Sequence, residues 1–381
     1  MSEPILYKGR GTPEMYDDLM DFMNYVFGFN GDDRDFKKLL PKLYKPEYDP
    51  CHSNYVVTEN GKLKAAIGAY DSDLSVDGEI LRSRGIGNVA VHPYSRSKGY
   101  MKDCMRLALR DMIDDGVDFS ILGGQRQRYQ HFGFERAGEE ISIGVDRGNL
   151  RRAFEGVPLR PLELRDINEG DFDLIEKMRA LHETRPFRTL RPKEQLYDIA
   201  RSWRTSVTAI LENGEFRGYF IGGLGELTLI DPEDTVDVVR NYVAQRGDVH
   251  LSIPVWETDK IARIAKIGGG VSIGHNEMYN ILNYPHVIGT LLHFKAAREE
   301  LGDGELSLFI HGFSGDVKVR IAVKQNAVTV EEISGDCDIE LGHLEAISFL
   351  CGLWSPERLA LSPAVRSWFP LPLYVDNADH V

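Results

Sequence analysis

A three-part α/β (α+β) architecture is predicted on three observations. Apolar, strand-length segments joined by Asn-Gly and Asp-Gly turns recur in the first and middle thirds of the chain. In both thirds a proline-marked turn and a helix-length segment follow the meander. The 381 residues also exceed what one hydrophobic core usually supports.

Between residues 13 and 27 apolar side chains fall at helical spacing (Met15, Leu19, Phe22, Met23, Val26), with Asp17, Asp18 and Asp21 on the polar side. Residues 54–59 and 63–74 read as strands joined by Asn60-Gly61-Lys62, and Asp77-Gly78 feeds a further strand over 79–92. A helix over 99–115, a short strand over 119–123, a loop to Tyr129 and a strand after Phe134 complete the first part. The middle part has strands at 206–212, 217–223 and 226–230, with Asn213-Gly214 between the first two, then a helix at 232–246 and a strand at 250–254. VAVHPYSRSKGYMKDCMRLAL and LTLIDPEDTVDVVRNYVA then share one order of strand, proline turn and helix, which implies an internal duplication. The third part has an apolar segment at 278–294, strands near 305–311, 317–324 and 327–333, and a helix at 342–351, a small α+β unit. The expected domains are residues 1–150, 151–276 and 277–381.

Apolar residues make up 42% and charged residues 27%, so a folded globular chain is expected. A net charge of −14 disfavours a nucleic-acid surface, which needs a basic face, and suits cationic small molecules or basic peptides. Cys51, Cys104, Cys337 and Cys351 lack the paired spacing of metal sites and read as reduced thiols, so no metal is expected. No basic segment followed by an apolar one opens the chain, and no run of about 18 apolar residues occurs. A cytoplasmic protein without a membrane partner is the expectation.

The stretch that carries chemistry is Val89-Ala90-Val91-His92-Pro93-Tyr94-Ser95-Arg96-Ser97-Lys98-Gly99-Tyr100-Met101. A strand ends at His92, Pro93 stops its ladder, and a helix opens near Gly99. Amide groups at a helix entry lack intrahelical acceptors and carry the positive end of the dipole, so they suit a diphosphate. Gly99 allows close approach, and Arg96 and Lys98 add charge. Alone, a basic turn before a helix is more often just a solvated turn. A second segment, Tyr129-Gln130-His131-Phe132-Gly133-Phe134-Glu135, follows after one helix and one strand, where a pantetheine arm would emerge.

Together the two segments closely resemble the GNAT superfamily of N-acetyltransferases: an apolar strand, a Val-x-Pro-x-x-Arg-x-x-Gly turn and helix, then Tyr-x-x-Phe-Gly-Phe. The three-part layout further resembles the Eis (enhanced intracellular survival) family. That resemblance implies tandem GNAT folds, the second degenerate, followed by a sterol-carrier-protein-like α+β domain. In the second unit Asp231-Pro232-Glu233-Asp234 stands in place of the cationic turn, and its carboxylates would repel a diphosphate.

The resemblance implies acetyl-CoA as cosubstrate, held by Val89, Val91, Arg96, Ser97, Lys98, Gly99 and Tyr100, with the backbone of Val89 and Val91 on a splayed strand positioning the thioester. Tyr129 matches the acid that protonates the departing thiolate, its alternative being a packed aromatic; Phe132 and Phe134 read as core. No acidic residue lies in 86–91, so the carboxylate base that many of these enzymes carry there is missing. The Eis resemblance offers the chain's own terminal carboxylate, here on Val381, in its place. The segment WFPLPLYVDNADHV is too apolar and proline-stiffened for an idle tail, although this chain ends in Asp379-His380-Val381 rather than in an aromatic. Phe27 and Phe29, with Asp32, Asp33 and Asp35, stand where these enzymes commonly wall the acceptor site and would suit an ammonium group; a solvated acidic loop is the other reading. The expected activity is N-acetylation of an amine on a cationic small molecule or a lysine-bearing peptide, by a homo-oligomer. A non-catalytic acyl-CoA or lipid-binding protein is the alternative.

Overall fold

The computed structural model describes residues 4–29 and 35–381. Asp32 and Asp33 lie outside the described residues.

In the first unit β1 (Leu6–Arg10), β2 (Asn54–Glu59), β3 (Lys62–Asp71), β4 (Leu74–Val76), β5 (Glu79–Leu81), β6 (Ser83–Val91), β7 (Phe119–Leu122) and β8 (Glu135–Val145) alternate with α1 (Tyr16–Gly28), α2 (Phe36–Leu39), α3 (Pro41–Tyr44), α4 (Tyr100–Asp114) and α5 (Arg126–Tyr129). Asn60 and Gly61 take φ of 50° and 76°, the left-handed pair that a two-residue hairpin needs. Side chains alternate across the sheet: Tyr55, Val57, Ala65 and Ile67 meet the buried face of α4, while Val56, Ala66 and Tyr70 meet α1 to α3.

The second unit comprises α6 (Arg147–Ala153), β9 (Glu163–Asp166), α7 (Phe172–Glu183), β10 (Phe187–Thr189), α8 (Leu196–Arg201), β11 (Val207–Glu212), β12 (Glu215–Ile221), β13 (Glu226–Leu229), α9 (Thr235–Arg246), β14 (Val249–Pro254), α10 (Thr258–Ala265) and β15 (Gly270–Ile281). Its sheet runs β13-β12-β11-β9, the same order as β6-β3-β2-β1, and Asn213-Gly214 repeats the left-handed turn. The duplication inferred from the aligned segments is therefore visible in topology.

Sequence periodicity does not reveal that the closing strands are exchanged. The large sheet runs β1-β2-β3-β6-β7-β15-β8-β14, so the last strand of the second unit lies between β7 and β8 of the first. The first unit's β8 in turn pairs with β14 (Val145↔Val249). The boundary expected after residue 276 falls inside β15, because that strand completes a sheet whose neighbouring strands, β7 and β8, are far away in sequence.

The third unit begins with α11 (Tyr284–Ala296) and continues through β16 (Gly304–Gly312), β17 (Gly315–Lys324), β18 (Ala327–Glu332), β19 (Ile339–Gly342), α12 (His343–Cys351) and α13 (Pro363–Arg366). The expected apolar segment 278–294 splits at Asn283, whose side chain caps α11. A four-stranded sheet, β18-β17-β16-β19, packs on α11 and α12 through Leu308, Ile310, Leu291 and Phe349, all fully buried.

Candidate active site

Strand β6 is the axis of the site. It pairs in parallel with β7 from Ser83↔Phe119 to Ile86↔Leu122, and there the pairing ends, five residues before β6 itself does. A bulge opposite Ile67 explains the divergence: Asn88 takes a φ of 43°, which turns the strand. The Asn88 amide sits 2.8 Å from Asn54 Oδ1, inside a buried group that includes Tyr70. The splay expected at Val89 and Val91 is thus present, and both side chains pack on the core under α4.

Beyond His92 the chain makes a 3-10 turn (Pro93–Ser95), then Ser97 and Gly99 adopt φ of 67° and 85° before α4 opens at Tyr100. Asp103 N is the first amide bonded back, to Gly99 O at 3.1 Å, so those of Tyr100, Met101 and Lys102 face away from the helix start. Arg96, Ser97, Lys98 and Gly99 are exposed, and Tyr100 is buried. Lys98 bonds Glu59 at 2.8 Å, and the Tyr100 hydroxyl donates to the same carboxylate, which holds Glu59 below its ordinary pKa. Arg96 has no carboxylate partner among the described residues, so it is the turn's uncompensated charge. Glu59 sits on β2, too far away in sequence for the turn's spacing to reveal it.

Tyr129 closes the short helix α5 and is 6% exposed. Its ring rests against Gly124, where a Cβ would stand 3.3 Å from Tyr129 Cε2. Phe134 N bonds Tyr129 O at 3.3 Å, and Arg126 pairs with Glu135 across the turn. Phe132 and Phe134 are core, 7% and 0% exposed.

The tail reaches the same place from the other end of the chain. Trp368, Leu371, Leu373, Tyr374 and Val375 are at most 2% exposed. At Gly138, with φ of 73°, a Cβ would meet Leu373 O at 2.7 Å. Val375 N then donates to Asn276 Oδ1 at 3.2 Å, and Lys42 Nζ donates to Ala378 O and His380 O, each at 2.7 Å. Burial pushes the Lys42 ammonium down to about 7. Val381 ends over β6: a Cβ on Gly87 would lie 2.9 Å from its carboxyl carbon, and one on Gly85 would lie 2.7 Å from its Cγ2. Both positions need glycine for this close approach. A carboxylate therefore reaches a strand that has none of its own over 86–91.

Two further groups were not singled out from the sequence. His380 Nε2 lies 3.0 Å from Val375 O, and burial pushes its imidazole down to about 4. Its Nδ1 lies 3.6 Å from Glu277 Oε1 of β15, whose pKa burial raises. Glu277 also approaches Gly123, just past the end of β7. Only the strand exchange brings it there.

A cavity of about 320 Å³ adjoins Val381, lined among others by Lys42, Tyr48, Tyr70, Asp71, Asp73 and Asp379. Burial raises the pKa of Asp73. Phe27 joins the cluster that packs on Val381, its ring 5.0 Å from Phe36, while Phe29 is 45% exposed. Neither ring lines this cavity. Asp35 caps α2 and bonds Lys38 Nζ at 3.0 Å.

Residues 10–137 match the acetyltransferase (GNAT) domain family. No curated protein matches the sequence. Among solved structures, a probable N-acyltransferase from Enterococcus faecalis superposes with a TM-score of 0.66 at 15% identity, covering 98% of each chain. A GCN5-related N-acetyltransferase from Kribbella flavida gives 0.62 at 17%, covering 97% of this chain and 95% of that one. Eis1 from Mycobacterium abscessus gives 0.64 at 14%, covering 96% of each. With the splayed strand, the helix-entry turn and the Tyr-x-x-Phe-Gly-Phe segment in one place, residues 10–137 form a GNAT acetyltransferase domain, within a chain whose fold is similar along its length to that of Eis1.

Proposed function

We propose that the protein transfers acetyl from acetyl-CoA to an amine of a cationic small molecule or a lysine-bearing peptide. The observation that carries this reading is the seat of the Val381 carboxylate on Gly87 of β6, next to the point where β7 leaves that strand. Acetyl-CoA supplies the thioester. The amides of Tyr100 to Lys102 and the Arg96 guanidinium would hold its diphosphate, and the open edge of β6 its pantetheine arm. The acceptor ammonium enters from the cavity bounded by Asp71, Asp73 and Val381. The terminal carboxylate takes one proton from the ammonium, the amine nitrogen bonds the carbonyl carbon, the carbon–sulfur bond breaks, the Tyr129 hydroxyl gives its proton to the thiolate, and the second proton that the nitrogen sheds on becoming an amide restores the Tyr129 hydroxyl. A carboxylate among apolar groups is a stronger base than one in water, because burial disfavours its charged form. The four thiols are unpaired, in keeping with a cytoplasmic setting, and among the described residues no helix is long and apolar enough to cross a membrane. Assembly as a homo-oligomer belongs to the same reading.

One acetyl-CoA per chain is expected. In the second unit the turn holds its own arginines, with Asp234 bonded to Arg160 at 2.5 Å and Glu233 to Arg263 at 2.6 Å, while Asp231 accepts from Glu233 N at 3.0 Å. The space between β13 and β14 is reduced to about 10 Å³, and Lys260 Nζ bonds Leu227 O there. Calorimetry giving two equivalent sites would contradict this.

Arg96→Glu is expected to weaken acetyl-CoA binding by about tenfold or more, because it reverses the turn's uncompensated charge; charge-assisted hydrogen bonds contribute about 1.5–3 kcal/mol. An unchanged dissociation constant in the same titration would remove the turn from the site.

A further inference from the structure

The tail contains two carboxylates that the chemistry does not use, Asp376 and Asp379, and both are buried against the second unit. Asp376 takes a two-pronged contact from Arg185, at 2.7 and 3.0 Å. Asp379 takes another from Arg191, at 2.9 and 2.8 Å. Arg191 also grips Glu226 of β13, at 3.0 and 2.6 Å, and the Tyr219 hydroxyl donates to Glu226 at 2.6 Å. The side chains of Arg191, Asp379 and Glu226 are 1%, 4% and 4% exposed. Trp203 Nε1 adds a bond to His380 O at 3.1 Å.

Burying such a cluster is a poor way to gain stability, since its desolvation offsets most of its attraction, and apolar side chains of similar volume often do as well. What ionic forks supply is register. Apolar packing alone leaves an extended tail free to slip, whereas a planar guanidinium fixes a carboxylate in distance and in plane. Asp379 is two residues from the end of the chain, so whatever fixes Asp379 fixes the terminal carboxylate over Gly87.

We infer that the second unit, whose turn after β13 is acidic where the first unit's is cationic, serves as the clamp that positions the terminal base of the first: Arg191, braced by Glu226 and Tyr219 and aided by Arg185, is a positioning residue for acetyl transfer. The inference rests on the proposed role of the Val381 carboxylate. It assigns the duplicated unit a part in the reaction that a scaffold alone would not have.

The test compares three forms of the full chain: one lacking Val381, Asp379→Asn, and the two changes combined. Melting midpoint and acetyl-CoA dissociation constant are measured for each, with kcat and KM. Asp379→Asn keeps the side chain's shape and weakens the fork. It is expected to lower kcat by about 10- to 100-fold, since a misplacement of about 1 Å can cost 10²-fold, with acetyl-CoA affinity unchanged. The combined form is expected to be no slower than the form lacking Val381, because both changes act through one carboxylate. Full activity in the form lacking Val381 would remove the terminal base itself, whatever Asp379→Asn does. A slow form lacking Val381 beside a folded, fully active Asp379→Asn would overturn the clamp alone. So would effects that multiply. If Asp379→Asn does not fold, Arg191→Lys, which keeps the charge and loses the fork, carries the same comparison and is read by the same outcomes.

Discussion

A chain that ends at His380 is expected to lose about 10²–10⁴-fold in kcat, the range that a proton-transfer group typically contributes. Removing Val381 moves the terminal carboxylate back by one residue, about 3.3 Å of extended chain, and takes it off Gly87. Its new position, at His380, falls under the Lys42 ammonium, which now donates to His380 O at 2.7 Å. An ion pair there would lower its basicity as well as misplace it. Folding should survive, because the tail is anchored upstream by Trp368, Leu371, Leu373 and Tyr374 and by the two arginine forks. Acetyl-CoA affinity should also survive, since the turn at Arg96 is untouched. Steady-state kinetics with a panel of polyamines, aminoglycosides and basic peptides would read the effect. Undiminished turnover in a folded truncated protein would require a different base, and Glu277 is the carboxylate to examine next.

Tyr129→Phe is expected to give a loss of similar size with a different signature. The ring, 6% exposed and lying on Gly124, is retained, so packing and acetyl-CoA affinity should change little. Only the hydroxyl proton is lost, and the thiolate must then leave without an acid. Since a donor thioester with a more acidic thiol needs that proton less, the defect should shrink as the leaving thiol's pKa falls. A variant equally slow with every thioester would indicate that Tyr129 acts by packing. In combination with the loss of Val381 the two effects need not multiply, because both groups act in one reaction path.

What the sequence made legible was local. The turn from Val91 to Tyr100 could be read because strand end, proline, glycine and helix start are set within ten residues, and the hairpins because Asn-Gly dictates its own backbone angles. The docked tail was legible from its composition, since prolines and large apolar groups do not stay in water. Pairings decided at long range were not legible. Glu59, which occupies Lys98, is 39 residues away, and Glu277 enters the site only because β15 crosses between units. The arginine forks were equally hidden: Arg185 and Arg191, which hold Asp376 and Asp379, lie 191 and 188 residues away in sequence. Phe27 and Phe29 were placed by family likeness alone; in the structure Phe27 packs in the cluster with Val381, Phe29 is exposed, and neither lines the cavity beside Val381.

The exchanged strands bear on the order in which the protein can come into being on the ribosome. When β8 has been synthesised, the gap beside β7 is still empty, and its filler, β15, follows only after the whole second unit has been made. At about 5–20 residues per second, that leaves the edges of β7 and β8 bare for on the order of ten seconds. Nascent chains of the first unit therefore lack the partner of both edges until β15 is made, and a chain that stops before residue 281 lacks part of the strand that fills the gap.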